Sequence, residues 1–165
     1  ARPRWLPTAH GCPGTGHFVT VTVRRLTAGD EQLALEALGQ LADDPPDAAS
    51  TVAFLASASA YLVVGYWKGL PAGFAIAYPL PYFDGRGEML FLWEIGTAEC
   101  YRRRGVARAI VEYLLDEARR EGYSEMFVIT NSGNSEAMPL YETTGGVREA
   151  LDDVVFAYYF GQQTG

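Results

Sequence analysis

The stretch that most constrains how this chain can fold places a run of arginines between an apolar segment and an amphipathic one. Residues 89–95 are apolar except for Glu94, which is typical of a strand buried on both faces. Beyond Gly105, apolar residues recur at the spacing of one helix face. They are Val106, Ala107, Ile110, Val111, Leu114, Leu115 and Ala118. The sequence therefore predicts a strand, a basic loop and a long helix in direct succession.

The basic residues lie at the end of the predicted helix that disfavours them. A helix N-terminus carries partial positive charge and unpaired N–H groups, so acidic groups are preferred there. The residues found here are Arg102, Arg103, Arg104 and Arg108. Together with Gly105, which lets the chain approach a ligand closely, they indicate a phosphate-binding site. A solvated basic turn, neutralised by acids such as Glu99 and Glu112, would fit the same pattern.

Size and charge limit the possible partners. The 165 residues are 48% hydrophobic and 20% charged, which fits one globular domain with its own core. We expect that domain over residues 17–165, after a flexible leader rich in Pro and Gly at residues 1–16. The formal charge of -7 argues against nucleic acid or an anionic membrane as partner, since both bind basic surfaces. A cationic small molecule fits better.

The sequence shows no sign of a membrane span, a secretion signal or a metal site. No apolar run approaches the roughly 20 residues that a spanning helix needs, and the start lacks the order of a signal peptide. Cys12 and Cys100 have no metal-ligand spacing, His10 lies in the leader, and His17 directly follows it. We therefore expect a cytoplasmic protein without a metal.

Hydrophobic periodicity predicts a strand, two helices, three strands, a helix, a strand, a helix and a closing strand. The strands are expected over residues 18–25, 61–67, 72–79, 89–95 and 125–130, with closing strands within 147–160. A turn at residues 68–71 should make a hairpin of the second and third strands. The last helix contains Tyr141 and tolerates Pro139 only if it begins near Glu136, where the missing N–H is not needed.

Two motifs in this order resemble the signatures of the GNAT acetyltransferase superfamily. They are Arg102-x-x-Gly105-x-Ala107 and Asn134-x-x-Ala137-x-x-Leu140-Tyr141-x-x-x-Gly145. The first matches the family's Gln/Arg-x-x-Gly-x-Gly/Ala signature, and the second its downstream motif, although Gly146 replaces the usual Phe. The resemblance implies an α/β (α+β) fold with a mixed, mostly antiparallel sheet flanked by helices on both faces.

The resemblance also implies that acetyl-coenzyme A is the co-substrate and that the arginine loop holds its pyrophosphate. The residues expected to bind it are Ile95, Gly96, Thr97, Arg102, Arg103, Arg104, Gly105, Val106, Ala107, Arg108 and Asn134. A backbone N–H near Ile95 or Gly96 would stabilise the acetyl oxygen if the strand splays open there, as it does in the family. Tyr141 is the family's usual proton donor to the departing thiolate. A tyrosine that only packs in the core is the alternative.

A narrower resemblance points to the acceptor. Residues 73–81, Phe83 and the strand at 92–97 resemble the class I aminoglycoside 3-N-acetyltransferases of the gentamicin type. Glu94 stands where that type has an Asp. The resemblance implies direct transfer of the acetyl group to the 3-N amine of an aminoglycoside, and it is compatible with a homodimer.

Acidic residues would form the amine end of the site. Glu94 interrupts an apolar strand, and a carboxylate buried there must be paired, protonated or functional. We expect it to be the base that takes a proton from the amine, the alternative being a structural acid. Further acids expected to bind the cationic acceptor are Asp43, Asp44, Asp152 and Asp153. A polyamine or a protein amine as acceptor stays open, as does a non-catalytic module that binds acetyl-coenzyme A.

Overall fold

Within residues 20–85 and 87–148, which the computed structural model describes, five strands form one sheet. The strands are β1 (Val21–Leu26), β2 (Tyr61–Trp67), β3 (Leu70–Pro81), β4 (Glu88–Thr97) and β5 (Glu125–Val128). The helices are α1 (Glu31–Leu41), α2 (Ala48–Leu55), α3 (Val106–Glu121) and α4 (Ala137–Thr143), with a short 3-10 turn at Glu99–Tyr101. As far as α4, this is the predicted order of elements.

The sheet is mixed. Its spatial order follows the sequence, with β1 to β4 antiparallel to one another and β5 parallel to β4. The β2–β3 hairpin turns at Lys68 and Gly69, whose φ angles of 52° and 80° suit the twist of the flanking strands. The predicted mixed, mostly antiparallel sheet is confirmed.

Each face of the sheet is covered by helices, as predicted. Helix α3 packs on one face against side chains that include Val63, Ala75, Leu90 and Leu92. Helices α1 and α2 cover the other face, against Leu62, Val64 and Phe74. Alternation along β2 explains the division, since Leu62 and Val64 point to one side and Val63 to the other.

Two glycines let the first turn of α3 lie directly on the sheet. A Cβ on Gly73 would be 2.7 Å from the carbonyl oxygen of Gly96 and 2.9 Å from Cγ1 of Val106. One on Gly65 would be 3.0 Å from Cδ1 of Ile110. Because side chains are absent at both positions, the start of α3 is held close to the end of β4.

A β-bulge in β4 reverses which residues face which helices. Ile76 pairs with Glu94 and Ala77 pairs with Leu92, so Trp93 is an extra residue without an opposite number. Before the bulge Leu92 faces α3, and after it Ile95 does. Glu94 is thereby turned to the α1–α2 face. The expectation that this strand is buried on both faces is wrong at the bulge, because Trp93 is 62% exposed and Glu94 is also exposed.

The bulge also marks where β4 parts from β5. Their parallel pairing runs from Met89 to Leu92 and stops there. In the described part of the chain no strand lies beside the β5-facing edge of residues 93–97. The β4–β5 pairing therefore ends before Ile95, near which the strand is predicted to open.

Several predictions fall on other parts of the chain. The leader at residues 1–16, most of the closing strands predicted within 147–160, and the acids Asp152 and Asp153 lie outside the described residues. Of the helices that the structure describes, none has the length and apolar character needed to cross a membrane.

Candidate active site

Two cavities lie on either side of the end of β4. We call the first the arginine cavity; its volume is about 570 Å³, and it lies between the ends of β4, α3 and α4. We call the second the carboxylate cavity; its volume is about 500 Å³, and it lies between α1, α2 and the sheet. Gly96 is the residue that lines both, so the two cavities meet at the backbone of β4.

The arginine cavity is built around the N-terminus of α3. Gly105 precedes the helix with φ +81°, and within the described chain no side chain caps the first turn. The unpaired N–H groups of that turn are donors for an anion, and the helix dipole adds partial positive charge. The first-turn residues Val106, Ala107 and Arg108 line the cavity, as do Ile95 and Thr97 across it.

The backbone of Gly105 favours glycine. A Cβ added there would meet no protein atom within 4 Å, so the constraint is conformational. Its φ of +81° is a conformation that other L-residues adopt at a cost of about 1–2 kcal/mol. Glycine thus sets the turn that presents the N–H groups.

The four arginines divide into two groups. Arg102, Arg103 and Arg108 line the arginine cavity. Arg104 does not line it, since its guanidinium lies over the ring of Trp67, 5.2 Å from the centroid. That position departs from the predicted role of Arg104 in binding phosphate and fits a residue that holds the loop against β2.

Acids already touch two of the cavity arginines. Nη1 of Arg102 is 3.3 Å from Oε1 of Glu136, and Nε of Arg108 is 2.7 Å from Oε1 of Glu112. Both pairs are largely exposed, where ion pairs contribute little. A phosphate of coenzyme A could replace these partners, and the cationic lining with its uncapped helix end suits it chemically.

Helix α4 forms the opposite wall of the arginine cavity. The Oδ1 of Asn134 accepts hydrogen bonds from the N–H of Ala137 at 3.0 Å and of Glu136 at 3.3 Å. Asn134, predicted to bind the cofactor, therefore holds the turn that leads into α4 with this oxygen while also lining the cavity. The helix begins at Ala137, so Pro139 falls in the first turn, where no N–H is needed.

The end of α4 fixes Tyr141. Gly145 has φ +94°, its N–H donates to Glu142 O at 3.2 Å, and the N–H of Gly146 donates to Tyr141 O at 2.8 Å. A Cβ on Gly146 would lie 3.0 Å from that oxygen, a close contact that glycine avoids. Tyr141 lines the cavity, and burial raises the pKa of its hydroxyl, which stays protonated at neutral pH.

The carboxylate cavity brings together acids that are far apart in the sequence. Glu94 from β4 lines it with Asp43 and Asp44 from the loop after α1. Partial loss of water around the carboxyl raises the pKa of Glu94, and the negative charge of Asp43 raises it further. Asp47, in the same loop, has a structural task, since its Oδ1 accepts the Ser50 N–H at 2.7 Å and caps α2.

The rest of the carboxylate cavity is mostly apolar and was not predicted. Its apolar side chains include Leu38, Leu41, Phe54, Leu55, Leu62, Phe74 and Ile76. They come from two helices and two strands, and each also fits the pattern of an ordinary core residue. No signal in the sequence separates a residue that lines a cavity from one that fills a core.

The chain matches a known protein family. Residues 30–145 match the model of the Acetyltransferase (GNAT) family, and the chain is therefore a member of that family. Its mixed sheet of five strands with four helices, within the described residues, is the GNAT fold.

Individual relatives are similar over shorter or more distant matches. The ribosomal protein bS18-alanine N-acetyltransferase of Escherichia coli (strain K12) is 33% identical over 54 residues, which are 33% of this chain and 36% of that protein. The match thus spans about a third of the length of that relative.

Solved structures show the same fold at low identity. An aminoglycoside acetyltransferase from an uncultured soil metagenomic sample, in complex with sisomicin, has a TM-score of 0.71 at 18% identity and covers 86% of this chain and 97% of that chain. Aminoglycoside N-acetyltransferase AAC(6')-Iy in complex with CoA has a TM-score of 0.66 at 20% identity and covers 88% of this chain and 98% of that chain.

Proposed function

We propose that this protein transfers the acetyl group of acetyl-coenzyme A directly to an amine of a cationic small molecule, with an aminoglycoside antibiotic as the first candidate. Membership of the GNAT family supports the reaction. The similar folds of two aminoglycoside acetyltransferases support the acceptor, together with the acids of the carboxylate cavity. We also propose a cytoplasmic location.

The observation that carries the proposal is the meeting of two chemically opposite cavities at Gly96. One offers guanidiniums and helix N–H groups, which suit the phosphates of coenzyme A. The other offers carboxylates, which suit an ammonium group. Because only β4 separates the two cavities, an amine in the carboxylate cavity can reach an acetyl group that is held at the end of β4.

Glu94 prepares the acceptor for attack. At neutral pH a primary amine is mostly an ammonium ion, whose nitrogen has no free electron pair, so a base must remove a proton. Glu94 faces the carboxylate cavity two residues before Gly96, and its raised pKa makes its carboxylate a stronger base. It takes the proton directly or through one water molecule.

The amine nitrogen then bonds to the acetyl carbon, and the carbon–sulfur bond breaks. The edge of β4 at Ile95 and Gly96, beside which no strand lies in residues 20–85 and 87–148, is the candidate source of a backbone N–H for the carbonyl oxygen. Tyr141 donates its proton to the sulfur. The attacking nitrogen then loses a second proton. Of the two protons removed from the amine, one restores the hydroxyl of Tyr141 and the other leaves to solvent.

The site on the acceptor is part of the proposal. The resemblance to the gentamicin-type enzymes implies the 3-N amine, whereas the name AAC(6')-Iy carries a different position. A protein amine is the second candidate, because the Escherichia coli relative is a ribosomal-protein alanine N-acetyltransferase. A polyamine is a third acceptor that an acidic rim would suit.

A panel of amines tests the proposal. The full chain is mixed with acetyl-coenzyme A and gentamicin, kanamycin, spermidine or a short peptide with a free N-terminus, and released thiol is measured against a reaction without amine. We expect release with the aminoglycosides and one acetyl group on the product, located by NMR. Release only with the peptide would move the function to protein amines. Binding of acetyl-coenzyme A without release for any amine would identify a non-catalytic module.

A further inference from the structure

The carboxylate cavity has two chemically different halves. Carboxylates of Asp43, Asp44 and Glu94 stand among its lining, and no Lys or Arg lines it within the described chain. The interior is formed by hydrocarbon side chains, among them Leu62 and Phe74, which are only 2% and 4% exposed. A ligand that matches both halves must be charged at one end and apolar at the other.

The interior offers few polar partners for buried hydroxyl groups. Two hydroxyl side chains line the cavity in the described chain: Ser50, which is exposed, and Thr51, which is 3% exposed and whose Oγ1 already donates to the carbonyl oxygen of Asp47 at 2.8 Å. A sugar with several hydroxyls placed against the leucine and phenylalanine side chains would lose more hydrogen bonds to water than these groups replace, which is unfavourable. A hydrocarbon or aromatic group would instead gain from leaving water.

The size of the cavity argues for a ligand. Its volume of about 500 Å³ lies within the range of small-molecule sites, about 300–1,000 Å³. The space between α1, α2 and β3 is therefore large enough for a small molecule, and the exposed Asp43, Asp44 and Glu94 stand where it opens to solvent.

We propose that the interior of the carboxylate cavity is a subsite for an apolar group, and that the acceptors which use it are amphipathic primary amines. The ammonium group lies beside Glu94 and Asp43, and several carbons of an aliphatic or aromatic group fill the interior. An aminoglycoside, polar on all sides, uses the acidic residues alone. This inference rests on the proposed function, because it assigns the amine to the same cavity.

A series of linear primary amines from ethylamine to hexylamine tests the subsite in the unmodified protein. The pKa of these amines is nearly constant along the series, so changes in kcat/KM report binding of the chain. We expect kcat/KM to rise by about fourfold for each added methylene, the factor that corresponds to full burial, until the interior is filled. Equal kcat/KM for ethylamine and hexylamine would overturn the inference while leaving acetyl transfer intact.

A matched pair of variants locates the effect. Ile76→Thr places a hydroxyl in the wall of the interior beside Glu94, and Ile129→Thr makes the same change at a position that is 57% exposed. The ratio of kcat/KM for hexylamine to that for ethylamine should fall several-fold in Ile76→Thr and stay unchanged in Ile129→Thr. An equal ratio in both variants would contradict the placement.

Failure of acetyl transfer is distinguished by calorimetry. If no amine releases thiol, the proposed function fails, and direct binding of the same amines to the full chain still tests the subsite. Affinity that grows with chain length supports it, whereas affinity that is independent of chain length, or absent for every amine, overturns it.

Discussion

The arginine cavity takes its charged lining from two short stretches of chain, residues 95–108 and 134–143, whereas the carboxylate cavity is assembled from five helices and strands and a loop. The first relies on backbone N–H groups and on neighbours in sequence, so its chemistry is encoded in two local motifs. The second depends on tertiary packing and on a single bulge that turns Glu94 toward Asp43. Binding of the cofactor and choice of acceptor can therefore change independently.

The largest effect that separates the two cavities should come from Glu94→Gln. The amide keeps the size of the side chain but cannot take a proton, so turnover should fall on the order of 100-fold or more, with affinity for coenzyme A unchanged. Turnover and coenzyme A affinity are measured on the same preparation.

The same variant should be more stable than the unmodified protein at neutral pH. Folding raises the pKa of Glu94, so the folded state binds the proton more tightly and loses stability as pH rises from the unfolded pKa through the folded one. Glutamine does not titrate, so the variant avoids this loss of stability. Its gain in stability over the unmodified protein should vanish at pH below the ordinary glutamate pKa. A destabilised variant with normal turnover per folded molecule would make Glu94 a structural acid.

Gly105→Asp should break the arginine cavity alone. The substitution forces an unfavourable φ on a residue at +81° and places a negative charge at the helix N-terminus. Affinity for acetyl-coenzyme A should fall by about tenfold or more, which corresponds to about 1.4 kcal/mol. Gly105→Asn is the control, with the same strain and no charge. Its loss should be smaller, and the difference between the two variants should shrink at high salt. Equal losses at every salt concentration would place the phosphates elsewhere.

Tyr141→Phe should lower turnover by about tenfold while leaving binding in both cavities intact. The hydroxyl is a proton donor with a raised pKa, so no ionisation of Tyr141 should appear in the pH profile near neutrality. Single-turnover kinetics isolate the chemical step from product release. Unchanged single-turnover rates would show that Tyr141 only packs in the structure and that water supplies the proton to the thiolate.

The smallest effect should come from Asp43→Asn. Removing this negative charge lowers the pKa of Glu94, so the acidic limb of the pH profile of turnover should move to lower pH. Asp44→Asn is the matched control in the same loop. Both variants should raise KM for a cationic acceptor, but only Asp43→Asn should move the limb. If the acidic limb moved by the same amount in both variants, the pKa of Glu94 would depend on the total charge of the loop rather than on Asp43.

The two cavities also differ in how far they could be predicted. The strand, loop and helix around Gly105 follow from local periodicity and from the preference of phosphates for helix N-termini. The same periodicity misplaced Glu94, because an alternating pattern does not reveal an inserted residue, and one extra residue at Trp93 flips every later side chain to the other face.

Side-chain contacts between distant parts of the chain could not be predicted from the sequence either. The motif placed Arg104 with the other arginines of the loop, but the ring of Trp67, on a strand far away in sequence, holds it outside the cavity. The apolar interior of the carboxylate cavity had no signal either, since Phe54 in α2 and Phe74 in β3 fit the patterns of ordinary core residues. Contacts between distant elements decide these positions.

The central claim is that the two cavities form one active site joined at Gly96, with an ammonium held by Glu94. It is tested most directly by the affinities of two coenzyme A derivatives whose sulfur carries an aminoethyl or a propyl group of the same length. The aminoethyl derivative should bind more tightly to the unmodified protein, its advantage should disappear in Glu94→Gln, and Gly105→Asp should weaken both derivatives by the same factor. Equal binding of the two derivatives, unaffected by Glu94→Gln, would contradict a single site across β4.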